Sequence, residues 1–161
     1  MDAIERKLKQ LGLELPTVPQ PLAEYVPAKL VGELVFCSGQ IPMKGGRPVR
    51  VGKVGADLTV QEAYECARIS ALNCLAAIKG VIGSLDRIAE VVQLRGFVNS
   101  APRFDRQPEV VNGASKLMVE LFGQAGRHAR SAVGTSDLPR NVPVELEMIV
   151  RVKPEPAAAE P

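Results

Sequence analysis

Apolar residues recur along the chain with two distinct periods. Over 144–152 they alternate strictly. Val144, Leu146, Met148 and Val150 fall on one side, and Glu145, Glu147, Ile149 and Arg151 on the other. That period of two predicts a strand with one buried face. Between 60 and 82 the period is helical, through Tyr64, Ala67, Ala71, Leu75, Ile78 and Ile82. Thr59 and Glu62 form a capping box at its start, and Gly83 stops it. Small residues such as Ala63, Ala67, Ala71 and Ala76 allow this helix to pack closely on a sheet. A second long helix is predicted over 107–122. Pro108 stands in its first turn, Val111, Leu117, Met118 and Leu121 turn inward, and Gly123 and Gly126 end it. A short amphipathic helix over 2–11, carried by Ile4, Leu8 and Leu11, precedes Gly12 and reads as a packing arm.

The remaining apolar runs are strand-like. A hairpin is predicted with strands near 25–31 and 34–39 around Val31-Gly32-Glu33. Lys44-Gly45-Gly46-Arg47 makes a turn, and 48–54 reads as a short, irregular or edge strand because of Pro48. Strands follow at 88–99 and 130–135, with a turn at 138–141. If the last two strands pair antiparallel, Arg130 falls toward the far end of the final strand. Residues 13–22 carry three prolines and read as a surface linker. The end, 154–161, holds only Pro, Ala and Glu and is expected to be disordered. The expected layout is thus an N-terminal helix and linker over 1–21, a domain over 22–153 and a tail. Its element order gives an α+β fold with a mixed sheet and two long helices on one face. No third long helix exists to cover the other face, so self-association is expected.

Composition narrows the chemistry. The 161 residues suit one domain, and 20 basic against 18 acidic residues leave a charge of only +2, which argues against a strongly basic nucleic-acid binder. A single His excludes a His-rich metal site, and Cys37, Cys66 and Cys74 lack any CxxC spacing, so no metal is expected. The unpaired cysteine count and the charged start point to reduced thiols and a cytoplasmic setting. No apolar run is long enough for a membrane helix. Any reaction must therefore use Arg, Glu, Ser, Tyr or Asn.

Arg130 is the first candidate, because a planar guanidinium grips a carboxylate through two parallel hydrogen bonds. A subunit salt bridge is the equal alternative for it. Glu145 and Glu147 share one strand face and could equally be a solvated stripe. Ser38 has no nearby base to make it a nucleophile, but its hydroxyl can line a polar pocket. Cys37, Cys66 and Cys74 read as core, and His128 as a solvated loop residue. Gly45-Gly46 matches no phosphate-binding loop.

Three stretches taken together resemble the YjgF-like family, also called Rid for reactive intermediate deaminase. They are Val35-Phe36-Cys37-Ser38-Gly39-Gln40-Ile41-Pro42, then Asp57-Leu58-Thr59 leading to Asn73, then Arg130-Ser131-Ala132-Val133 with Leu138-Pro139 and Val144-Glu145-Leu146-Glu147. The resemblance spans about 22–152. It implies a chorismate-mutase-like fold, a homotrimer, and clefts between subunits that hold small carboxylate-bearing ligands. It implies hydrolysis of 2-imino or enamine acids to 2-oxo acids and ammonia, without a cofactor. Position by position, it makes Arg130 the carboxylate anchor and Glu145 the residue that positions water. Ser38, Tyr25 and Asn112 become cleft residues. Ala132 stands where many members carry Cys, so thiol chemistry there is absent. His128 replaces the usual Pro or Ala, and the N-terminal helix is an added segment. Two other readings compete: a non-enzymatic trimer that binds a small carboxylate metabolite, and an RNA-cleaving protein. The near-neutral charge and lone His argue against the second.

Overall fold

The alternating strand β7 (Val144–Val152) lies at the centre of the sheet, where its period of two requires it to be. Val144, Leu146, Met148 and Val150 are buried on the helix side. The five-stranded sheet runs β1 (Ala28–Val31), β2 (Leu34–Gln40), β7, β5 (Ile88–Asn99), β6 (Ala129–Thr135). All neighbours are antiparallel except β5 and β6, which are parallel. The computed structural model of the chain describes residues 1–18 and 23–155. Part of the predicted linker, 19–22, and most of the predicted tail, 156–161, lie outside the described residues.

Helix α1 (Ala3–Gln10) buries Ile4 and Leu8, and its first amides donate to Asp86. Helix α2 (Val60–Ile82) begins at the predicted capping box. The Glu62 amide donates to Thr59 Oγ1 at 3.1 Å, and the Thr59 amide donates to Glu62 Oε2 at 2.9 Å. Ala63, Ala67 and Ala71 are fully buried. Helix α3 (Gln107–Phe122) matches its predicted bounds. Helix α2 packs on β1, β2 and β7, while α3 packs beside it on β5 and β6. Among the described residues no helix covers the opposite sheet face, and Phe36 and Val133 remain 44% and 46% exposed there. Among the described residues no helix is long and apolar enough to cross a membrane.

Two expectations are corrected. The predicted strand over 48–54 does not form. In its place β3 (Met43–Lys44) and β4 (Arg47–Pro48) make a minimal hairpin, and Val54 joins only through isolated bridges. Pro48 lacks an amide hydrogen to extend the ladder, and Gly52 turns the chain at φ 126°. The last two strands also do not pair with each other. β5 lies between them, parallel to β6 on one side and antiparallel to β7 on the other. A strand as long as β5 offers two edges, and the β5–α3–β6 segment supplies the helical crossover that parallel pairing needs.

Helix α3 sits very close to α2, because a Cβ on Gly113 would overlap the carbonyl oxygen of Tyr64. Alanine gains roughly 1 kcal/mol over glycine inside a helix. Overpacking against a backbone atom that cannot swing aside costs about 1–3 kcal/mol. Gly113→Ala is therefore expected to lower the urea midpoint, and an unchanged or higher midpoint would contradict this packing.

Candidate functional site

The end of β2 carries the first group of site residues. Cys37 pairs with Met148, but Gln40 rather than Gly39 pairs with Leu146, so one extra residue bulges there. A bulge re-aims side chains. Cys37 and Gln40 stay buried on the helix side, and Ser38 turns to the open face. Ser38 Oγ donates to the Val26 carbonyl at 2.6 Å, and the Ser38 amide donates to the Pro27 carbonyl. These bonds fix the segment just after Tyr25, which is 55% exposed. Asn73, on α2, donates to the Ile41 and Met43 carbonyls and pins the chain where it leaves β2.

Glu145 lies against this bulge. A Cβ on Gly39 would collide with Glu145 Oε1, so only a bare backbone leaves room for the carboxylate. Its strand neighbour on the same face, Glu147, is 3.7 Å from Arg95. Glu145 has no such cation among the described residues. Burial first, then the Glu147 charge, push the Glu145 carboxyl above the ordinary carboxylate range.

The second group sits on β6, an edge strand of the sheet. Arg130 lies opposite Leu94 and points to the helix side, where α3 meets it. Arg130 Nη1 donates to Asn112 Oδ1 at 2.7 Å and to Ser115 Oγ at 3.2 Å. Both acceptors come from one face of α3, three residues apart. Nε and Nη2 have no protein acceptor among the described residues. They form one side of the guanidinium, the fork that takes a carboxylate bidentately. His128 is corrected from a solvated loop residue. It is half-buried, with Nε2 2.9 Å from Ser115 Oγ and Nδ1 2.7 Å from the Gly126 carbonyl. The sequence holds the signal for this contact: His128 and Arg130 are two apart at a strand start, so their side chains share a face.

The structure thus brings together Arg130 and Asn112, and separately Ser38 and Glu145 with Tyr25 nearby in the chain. It does not join the two groups. β2 and β6 are three strand spacings apart, roughly 14 Å. Glu145 pairs with Phe97 on the open face, whereas Arg130 reaches the helix face.

Cys66 and Cys74 are poorly suited to act as thiolates. Burial pushes Cys66 up to about 11. The side-chain hydrogen bond with Cys37, then burial, hold Cys74 well above its ordinary value. The Glu145 environment has a measurable consequence. A carboxyl raised in the folded state contributes stability that is full below the ordinary carboxylate range and lost as pH rises through its raised value. Glu145→Gln is expected to be more stable than the parent at neutral pH, with the gain vanishing near about pH 3. Urea midpoints at both pH values check this, and an equal gap at both would contradict it.

The comparisons agree with this architecture. The family model described as "YjgF/chorismate_mutase-like, putative endoribonuclease" matches residues 5–149. Protein TCP17 of Trypanosoma cruzi is 39% identical over 150 residues, covering 92% of this chain and 94% of that protein. The 2-iminobutanoate/2-iminopropanoate deaminase of Dermatophagoides farinae is 30% identical over 141 residues, covering 88% and 95%. The crystal structure of protein Atu1372 from Agrobacterium tumefaciens matches at 44% identity with a TM-score of 0.88, covering 93% of this chain and 92% of that one. With a family model spanning nearly the whole described chain, and its mixed sheet and paired helices seen directly, the chain belongs to the YjgF/chorismate-mutase-like family.

Proposed function

We propose that the protein hydrolyses 2-imino or enamine acids to 2-oxo acids and ammonia, in a cleft shared between copies of the chain. The observation that carries this reading is the held guanidinium of Arg130. Both hydrogens of Nη1 are occupied by α3, and the Nε–Nη2 side is left for a carboxylate. The mite relative named as a 2-iminobutanoate/2-iminopropanoate deaminase supports the substrate class.

The chemistry needs no metal and no strong nucleophile, because an iminium carbon is already electrophilic. Arg130 holds the substrate carboxylate, with Asn112 beside it, and turns an encounter into an oriented one. Glu145 accepts a proton from water as the water oxygen bonds to C2. The resulting carbinolamine takes that proton on nitrogen, the C–N bond breaks, and ammonia leaves. Loss of the hydroxyl proton completes the 2-oxo acid. A carboxyl raised by burial is a stronger base, once ionised, than an ordinary surface carboxylate. Ser38 and Tyr25 would line the wall on the Glu145 side.

Arg130 and Glu145 face opposite sides of one sheet, so one substrate can meet both only if they come from two copies. A β6 edge seated against the β2 end of the next copy supplies that meeting. Such a head-to-tail contact repeats until a ring closes. The family resemblance puts the number at three, and the uncovered apolar sheet face supplies the surface.

An amino-acid oxidase that generates the imino acid in situ provides the assay. The protein is expected to release ammonia faster than the uncatalysed reaction. Arg130→Ala is expected to lower kcat/KM by about 100-fold or more, given two charge-assisted bonds lost, with the oligomer's size unchanged. Ammonia release at the buffer rate, or full activity in Arg130→Ala, would overturn this function.

A further inference from the structure

We infer that Ser115 and His128 are positioning residues that hold Arg130 in its carboxylate-binding orientation before a ligand arrives. This rests on the reading of Arg130 as the anchor. The direction of every bond in the network follows from its ends. The Gly126 carbonyl can only accept, so His128 Nδ1 carries the hydrogen and donates at 2.7 Å. In a neutral ring Nε2 is then the acceptor, and Ser115 Oγ donates to it at 2.9 Å. That leaves the Ser115 lone pairs to accept from Arg130 Nη1, which they do at 3.2 Å. The order is guanidinium to hydroxyl to imidazole to backbone.

The far end of this chain of bonds is rigid. A Cβ on Gly126 would overlap the Met118 carbonyl, so the loop lies directly on the α3 backbone. The Gly126 carbonyl is therefore fixed to the same helix that presents Asn112 and Ser115. His128 closes a loop from α3 back to α3, and Arg130 is attached to that loop at Ser115.

Two bonds to Nη1 do more than one. A single bond to Asn112 leaves the guanidinium plane free to turn about that contact. A second bond, from Ser115, fixes the plane and so fixes where Nε and Nη2 point. A free arginine side chain loses close to its full rotamer entropy on being ordered. Ordering it in advance removes that loss from the binding step. Without His128, the Ser115 hydroxyl is free to turn toward its own helix carbonyl, as serines in helices do. The expected signature is weaker carboxylate binding with little change in the chemical step.

The test uses the whole protein, with 2-oxobutanoate as the probe in calorimetry and the imine assay for turnover. In His128→Asn the amide can still donate to Gly126 but offers no acceptor at the Nε2 position. In His128→Gln the side-chain oxygen stands near where Nε2 stood. Ser115→Ala and His128→Asn are expected to raise Kd and KM about tenfold, with kcat within about twofold. His128→Gln is expected to restore most of the loss. Nitrogen-15 spectra of the wild type should show His128 as the Nδ1–H tautomer, a readout that needs neither ligand nor variant. Wild-type Kd in both Ser115→Ala and His128→Asn, no rescue by Gln, or the Nε2–H tautomer would each overturn the positioning role. Undiminished 2-oxobutanoate binding in Arg130→Ala would instead overturn the anchor reading, and this inference with it.

Discussion

The close seating of α3 is the constraint on which the rest of the site depends. One glycine, Gly113, lets it touch the α2 backbone, and another, Gly126, lets the following loop touch α3 itself. With no Cβ at either point, α3 cannot slide or roll without opening a gap in a close-packed core. Its buried face, through Val111, Leu117, Met118 and Leu121, fixes its rotation. That rotation presents Asn112 and Ser115 to Arg130, and the loop contact brings His128 to Ser115. Packing and electrostatics are thus one arrangement. The guanidinium is aimed because the helix cannot move.

The second constraint is the alternation of a strand. Period two puts Leu146 in the core and therefore puts Glu145 on the open face. Arg130, by the same alternation on β6, goes to the helix face. The two residues that the proposed reaction needs are thus separated by the sheet that holds them. Each chain offers two halves: a carboxylate on central strand β7, over bare backbone at Gly39, and a held guanidinium on edge strand β6 under α3. The proposed association of copies accounts both for the exposed apolar sheet face and for the divided site.

Much of this fold was legible in the sequence. The capping box at Thr59, the helix over 107–122 and the alternation over 144–152 rest on local signals, and each element forms as its residues dictate. The partners of strands were less legible, because pairing is set by tertiary packing. Nothing within 130–135 says that its neighbour is β5 rather than the strand that follows it. Among site residues, Arg130, Glu145, Ser38, Tyr25 and Asn112 take their roles from the family resemblance, and composition alone leaves Arg130 and Glu145 ambiguous. The place of His128 is not legible from its loop position; it follows from strand parity with Arg130. The part of Gly39 is steric and shows only in three dimensions: it makes room for Glu145.

The central claim is that Arg130 and Glu145 of different copies act on one substrate. Co-expressing Arg130→Ala with Glu145→Gln, each inactive alone, tests it most directly. In mixed rings assembled at random, half of the guanidinium sites and half of the carboxylate sites are intact. About a quarter of the shared clefts then carry both, so imine hydrolysis should return to about a quarter of the wild-type rate. Mixed oligomers that form but remain as inactive as either variant alone would contradict a site shared between copies.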